Sequence, residues 1–290
     1  MKGLKIVVLA KQVPDTRNVG KDAMKADGTV NRAALPAIFN PEDLNALEQA
    51  LRLKDTIEGT TVHVLTMGPG RAAEIIREAM YRGADGGYLL SDRAFAGSDT
   101  LATSYALSCA LRNLEYDLII FGRQAIDGDT AQVGPQVAEK LALPQVTYAE
   151  EIQGCDGKIV TIKRRLERGI EVATCPMPCV VTVNGSAAPC RPRNARFVMK
   201  YKNAKGTQEA QDANEDYFAL VNERPYLKLT EWSVNDIQSN PEDLGLSGSP
   251  TKVKNIESVV FQAKEAKVLS GTDAELDAMM KELITNHTIG

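Results

Sequence analysis

The chain has 290 residues, enough to bury a sizeable core in one large domain or two small ones. Hydrophobic residues make up 43% and charged residues 25%, ordinary for a globular protein, and a net charge of −4 draws it neither to nucleic acid nor to an anionic membrane surface. No uncharged apolar run approaches the ~20 residues of a membrane helix, and Lys2 and Lys5 flank a strand-like run without a signal-peptide pattern, which predicts a cytoplasmic chain that is not membrane-embedded.

Leu4 to Ala10 reads as a first strand, apolar enough to be buried on both faces as parallel strands are. Lys11 to Thr16 follows as a loop at its carboxyl end. Residues 24–32 surround Asp27-Gly28, a hairpin signal. Asn40-Pro41-Glu42-Asp43 has the pattern of a helix start: a capping Asn, proline at the first helical position, then two acids for the dipole. Leu44, Leu47, Leu51 and Leu53 make that helix amphipathic up to Gly59.

Thr61 to Met67 is the second strand, with His63 on its alternation as a structural histidine. Gly68-Pro69-Gly70-Arg71-Ala72-Ala73 opens a helix carrying Ile75, Ile76, Ala79 and Met80 on one side. It matches the dinucleotide pattern G-x-G-x-x-A only loosely, with a proline inside and no well-placed acid ~20 residues on. Gly86 to Leu90 is a third strand and Asp99 to Leu114 a third helix.

Asp117 to Pro144 is the most informative stretch. A short apolar strand ends at Gly122, and Val133, Val137 and Leu141 mark one face of a helix that Pro144 stops. The loop between them, Gly122 to Thr130, is rich in Gly and Asp. A strand that leads through such a loop into a helix start presents free backbone N–H groups and the positive end of a helix dipole, for which phosphate is the natural ligand. Asp-Gly is also a common turn, and Asp129 or Thr130 an ordinary helix cap, so the residues alone leave both readings open.

The alternation of strand and helix calls for a doubly wound, mostly parallel α/β sheet, in which ligands bind at the carboxyl ends of strands where the winding reverses. After Pro144 the texture changes. Gln145 to Ile152, Lys158 to Leu166, Gly169 to Thr174 and Cys179 to Val183 look like short strands or hairpins. Residues 187–250 are polar, proline-bearing and weakly periodic, which predicts an arm that needs a partner surface. A last helix begins near Thr272, with a Thr-x-x-Glu275 capping box and an apolar face of Leu276, Met279, Met280 and Leu283. Five cysteines without a secretion signal argue for reduced thiols, and two histidines give little basis for a metal site. The expected division is 1–186, an α/β nucleotide-binding domain that includes the strand-rich 145–186, and 187–290, the extended arm with its terminal helix.

Several short strings together carry a resemblance. They are Val13 and Asp15 after Lys11, Asn40-Pro41, Met67-Gly68-Pro69, Gly122-x-Gln124-Ala125-Ile126-Asp127-x-Asp129 and Gly248-Ser249-Pro250-Thr251-Lys252-Val253. Over nearly its whole length the chain resembles the beta subunit of electron-transfer flavoproteins. Arg164 to Thr182 is similar to the family's signature region, with Glu167, Gly169, Glu171, Pro178 and Val180-Val181-Thr182 in place and Arg168 and Ala173 departing from it.

The resemblance implies a Rossmann-like fold of the adenine-nucleotide alpha-hydrolase kind, and a heterodimer in which the arm packs on an alpha subunit. In simpler members the bound nucleotide is AMP; in electron-bifurcating members it is a second FAD. Gly128 and the run Thr130-Ala131-Gln132-Val133-Gly134-Pro135 resemble the bifurcating version, so FAD is expected here, with AMP as the alternative. The amides of Asp129 to Val133 and the Thr130 hydroxyl would hold phosphate. Leu9, Ala10 and Met67 would line the adenosine pocket, Asn40 would offer its amide and Lys11 would steady the anion. Gly122, Gln124, Ala125, Gly128, Ala131, Gln132, Gly134 and Pro135 complete the expected loop, with Asp127 and Asp129 capping its backbone or acting through a cation.

The implied activity is electron transfer, with no catalytic side chain. NADH, ferredoxin and an acyl-CoA-type or other dehydrogenase are the implied partners, the last docking near Arg191, Arg193 and Arg196. A rival reading is a stand-alone adenine-nucleotide module related to universal stress proteins, against which the long polar arm and late capped helix argue.

Overall fold

The apolar runs that lack alternation form the middle of one sheet, because only a strand covered on both faces can be apolar on both. A computed structural model describes residues 2–15, 36–211, 215–251, 266, 268–286 and 288–289. The hairpin expected at Asp27-Gly28 lies outside the described residues. In chain order the first elements are β1 (Lys5–Leu9), β2 (Gln12–Pro14), β3 (Ala37–Phe39), α1 (Pro41–Thr56), β4 (Thr61–Met67), α2 (Ala73–Met80) and β5 (Gly86–Leu90). They are followed by α3 (Thr100–Leu111), β6 (Leu118–Gly122), α4 (Val133–Lys140), β7 (Gln145–Cys155), β8 (Ile159–Leu166), β9 (Gly169–Pro176) and β10 (Cys179–Val183). The last are α5 (Ala195–Tyr201), α6 (Thr207–Ala210), α7 (Glu215–Glu223), β11 (Thr230–Trp232) and α8 (Asp273–Thr285).

Among the described residues nine strands make the main sheet, in the order β11-β5-β4-β1-β6-β10-β7-β8-β9. The pairs from β11 through to β7 are parallel, and β7, β8 and β9 add an antiparallel extension. β1 lies between β4 and β6, so the winding leaves it in both directions. Its alternate residues feed two separate cores. Ile6 and Val8 pack with Leu47, Leu51 and Ile75 of α1 and α2, whereas Val7 and Leu9 pack with Leu107 and Val137 of α3 and α4. The expected α/β class, its helices and its parallel winding are therefore present.

Two local expectations differ. The stretch after β1 contains β2, which pairs antiparallel with β3 in a separate ribbon. Each strand is three residues long, too short for any alternation to show. At α8, the Thr272 side chain does not cap the helix; the Glu275 carboxylate accepts mainly from the amide (2.8 Å) and hydroxyl of Ser270, with Thr272 beside them.

The described residues within 195–249 contain more structure than their polarity suggests. Tyr201, Leu227 and Leu229 are buried against Ile76, Met80 and Leu89, and β11 continues the sheet beyond β5 with Trp232 stacked on Tyr88 at 4.6 Å. The segment has too few apolar residues for a core of its own and joins one supplied by α2 and β5. α8 is different: it has no buried residue, and Leu276, Met280 and Ile284 are exposed.

If residues 227–229 belong to the main core, Leu227→Ala and Leu229→Ala should each lower the unfolding free energy of the whole chain by about 2–5 kcal/mol in urea titrations. An unchanged midpoint would make the segment a separable appendage.

Candidate functional site

At the carboxyl ends of β1 and β6 the parallel strands diverge, and backbone amides there lose their sheet partners. The first turn of α1 fills this gap. The buried Asp43 carboxylate accepts from the Lys11 amide at 2.8 Å and from the Gly122 amide at 3.1 Å, tying the two strand ends together. Burial pushes the Asp43 carboxyl up to about 7, against the opposing pull of the Lys11 and Gly122 amides. Gly122 is required here, since a Cβ at that position would collide with the same carboxylate.

Asn40 does not cap its own helix. Its amide nitrogen donates to the Gln124 carbonyl at 2.9 Å and its oxygen accepts from the Ile126 amide at 3.1 Å, pairing with the loop after β6 as another strand would. Glu42 adds an acceptor for the Gln124 amide (3.0 Å) and for the Arg123 guanidinium (3.2 Å). The Asn-Pro-Glu-Asp motif is thus a clamp on a distant loop as well as a helix start.

That loop leads into α4 over a cavity of about 1010 Å³. Asp129 (φ 48°) and Ala131 (φ 53°) adopt left-handed backbone, which turns successive amides out of the chain's own hydrogen bonding. Among the described residues no protein group accepts from the amides of Thr130, Ala131, Gln132, Val133 or Gly134, and α4 has no side-chain cap. A helix start with open amides is an anion-binding arrangement. Gly134 allows close packing there; a Cβ would approach Thr182 Cγ2 at 2.7 Å. Leu9, Ala10, Leu65, Met67, Phe95 and Leu107 form the apolar part of the wall.

Of the residues expected at the site, all line this cavity except Asn40, Asp127 and Pro135. Asn40 is committed to the loop backbone. Asp127 forms a two-pronged ion pair with Lys11 Nζ, both distances 2.8 Å, so Lys11 carries its own counter-ion. Asp129 accepts from Gln124 Nε2 at 2.9 Å. Neither acid caps a backbone amide in the described residues.

Arg123, inside the loop read from sequence but not named for a role, also lines the cavity, and sequence reasoning missed the wall contributed by residues 97–101, by Thr103, by Gln136 and by Pro250-Thr251. Asp99 joins two of these. One carboxylate oxygen caps α3 through the amides of Leu101 (2.9 Å) and Ala102 (3.1 Å). The other accepts from the Thr251 amide (3.1 Å) and hydroxyl (2.6 Å), and the Asp99 amide donates to Ser249 Oγ at 2.9 Å. The Gly248–Val253 string and an Asp before a helix were visible; their meeting was not.

The expected docking arginines are not a free basic loop. Arg191 pairs with Glu48 (3.0 Å) and Asp55 (2.8 Å), and Arg193 with Glu78 (2.6 Å), because α1 and α2 present acids to the passing chain. Arg196 remains exposed. All five cysteines are free thiols. Among the described residues no group of side chains could hold a metal, and no helix is long and apolar enough to cross a membrane.

A doubly wound sheet with an anion-ready cavity at its switch point defines a Rossmann-like α/β protein. Residues 27–215 match the electron transfer flavoprotein domain. The chain is 39% identical to the electron transfer flavoprotein subunit beta of Clostridium acetobutylicum, over 96% of this chain and 94% of the relative. It is 43% identical to the caffeyl-CoA reductase-Etf complex subunit CarD of Acetobacterium woodii, over 86% of each chain. It is 42% identical to the acryloyl-CoA reductase electron transfer subunit gamma of Anaerotignum propionicum, over 99% of this chain and all of the relative. The chain belongs to the electron transfer flavoprotein family, as a beta subunit. Beta subunits of this family pair with an alpha subunit.

The raised Asp43 carboxyl makes a pH prediction. A folded-state value of about 7 above the ordinary 3.8 means the folded chain holds the proton more tightly. The contribution of this group to stability is therefore present below about pH 4 and lost as pH rises to about 7. Asp43→Asn removes that dependence. The wild-type minus variant unfolding free energy, followed in urea from pH 4 to 8, should fall and then level off; a flat difference would show that the carboxyl does not titrate in this range.

Proposed function

We propose that this chain binds FAD in the cavity between β1 and β6 and acts as the beta subunit of an electron-bifurcating flavoprotein. In that complex NADH would be the donor, and ferredoxin together with a dehydrogenase of the acyl-CoA type the acceptors. The observation that carries the reading is the run of five open amides from Thr130 to Gly134, facing a cavity of about 1010 Å³. Ligand sites span roughly 300–1,000 Å³, so this one is at the upper end of that range. The kinship with proteins named as subunits of a caffeyl-CoA reductase complex and of an acryloyl-CoA reductase supports a reductase or dehydrogenase as partner.

The chain's own residues fit an adenine nucleotide. The amides at the start of α4 would hold phosphate, assisted by the helix dipole and the Thr130 hydroxyl. Leu9, Ala10, Leu65 and Met67 would shield the adenine from water. Asp43 would keep the Lys11 and Gly122 backbones at a fixed spacing around the ligand. When bound, the flavin would supply hydride acceptance and the one-electron steps that follow, the protein setting its position. On the outside, α8 with exposed Leu276, Met280 and Ile284 fits an arm lying on the alpha subunit. Arg196 and the exposed Met199 beside it fit a docking point for the dehydrogenase.

Flavin and AMP stoichiometry in the complex purified with its alpha subunit tests this reading. Two FAD per heterodimer and no AMP are expected. One FAD with one AMP would leave the chain a scaffold subunit and overturn the assignment. Thr130→Val should weaken nucleotide retention by roughly the 1–2 kcal/mol of one charge-assisted hydrogen bond, measured by dilution and filtration; unchanged retention removes the hydroxyl from the site.

A further inference from the structure

Arg123 follows β6 directly and lines the cavity. Its backbone is fixed, the amide donating to the Val183 carbonyl at 2.8 Å. Its side chain is not fixed to the same degree. Among the described residues the guanidinium has one ion pair, Nη2 to Glu42 Oε1 at 3.2 Å, the other Glu42 oxygen already accepts from the Gln124 amide, and the guanidinium carbon lies 5.9 Å from the centre of the Tyr148 ring. The Arg123 Nε atom is buried and has no hydrogen-bond partner. The same unpartnered Nε occurs at Arg82 and Arg164, so what sets Arg123 apart is its place in the cavity wall. A buried N–H without an acceptor is costly to leave so.

Among the lining residues the other cation is Lys11, and both Asp127 oxygens sit 2.8 Å from its ammonium. Around the cavity the acids are also engaged: Asp129 with Gln124, and Asp99 with Thr251 and the start of α3. Among the described residues Arg123 is therefore the lining cation without a two-pronged carboxylate partner. The open amides at the start of α4 can take one phosphate without it.

We propose that Arg123 is a specificity-determining residue that binds a second anionic group and makes the cavity prefer nucleoside diphosphates, including dinucleotides joined by a pyrophosphate, over monophosphates. The inference rests on the cavity being a nucleotide site. It does not require that the bound dinucleotide be a flavin.

The test uses the heterodimer, stripped of bound nucleotide and titrated calorimetrically with AMP and with ADP, in wild type, Arg123→Gln and Arg123→Lys. ADP differs from AMP by the second phosphate, so their affinity ratio isolates the residue's role. Arg123→Gln should weaken ADP roughly tenfold or more, the scale of a lost charge-assisted contact, and change AMP by less than about threefold. Arg123→Lys keeps the charge but lacks Nε, and should fall between wild type and Arg123→Gln for ADP. If Arg123→Gln does not fold, the lysine variant carries the decision by its own ADP-to-AMP ratio. A ratio unchanged from wild type overturns the inference and leaves the nucleotide site standing. A wild-type complex that binds neither nucleotide overturns both, and the FAD-to-AMP stoichiometry decides the flavin assignment separately.

Discussion

The geometry of the site depends on one carboxylate. Where β1 and β6 separate, two backbone amides point into the crevice with no strand to accept them, and Asp43 accepts both. The acceptor comes from the first turn of a helix on the opposite side of the sheet from the open loop. Strand spacing, helix placement and loop origin are thereby set by the same few atoms. Burial raises the carboxyl to about 7, the cost of satisfying two amides with a group that prefers water. A neutral side chain in its place would satisfy one amide and oppose the other with its own N–H.

Asn40 and Glu42 extend this bridge outward. Within four residues the chain supplies acceptors for Lys11, Gly122, Gln124 and Ile126, and a donor for the Gln124 carbonyl. A Gly- and Asp-rich loop would otherwise sample many conformations, at a backbone entropy of about 1–2 kcal/mol per residue. Held at its first half by α1, it can keep its second half in left-handed turns with amides unpaired. The open helix start of α4 is thus stabilised from the other face of the protein.

How much of this was legible follows from how local each feature is. Thr61–Met67, Gly86–Leu90 and Cys179–Val183 are strands over the residues read from sequence, because each is an apolar run bounded by turn signals. The loop from Gly122 and the helix at Val133 were legible for the same reason. The ribbon of β2 and β3 was not, since three-residue strands have no period. Nor was the packing of Tyr201, Leu227 and Leu229, whose apolar partners are in α2 and β5. Asn40 was visible as a motif but misread in role: the pattern of a cap is also the pattern of a clamp, and only the fold brings residue 126 beside it. Likewise the charge of Arg191 and Arg193 was plain in the sequence while Glu48 and Glu78, their partners, were not.

The Asp99 clasp bears on when the site can come into being. Its bonds to Ser249 and Thr251 cross about 150 positions of chain, and Pro250 and Thr251 form part of the cavity wall. On the ribosome the main strands and the amides of α4 emerge long before that wall does. A growing chain can therefore build the crevice but not close it. The complete pocket thus needs the chain through residue 251.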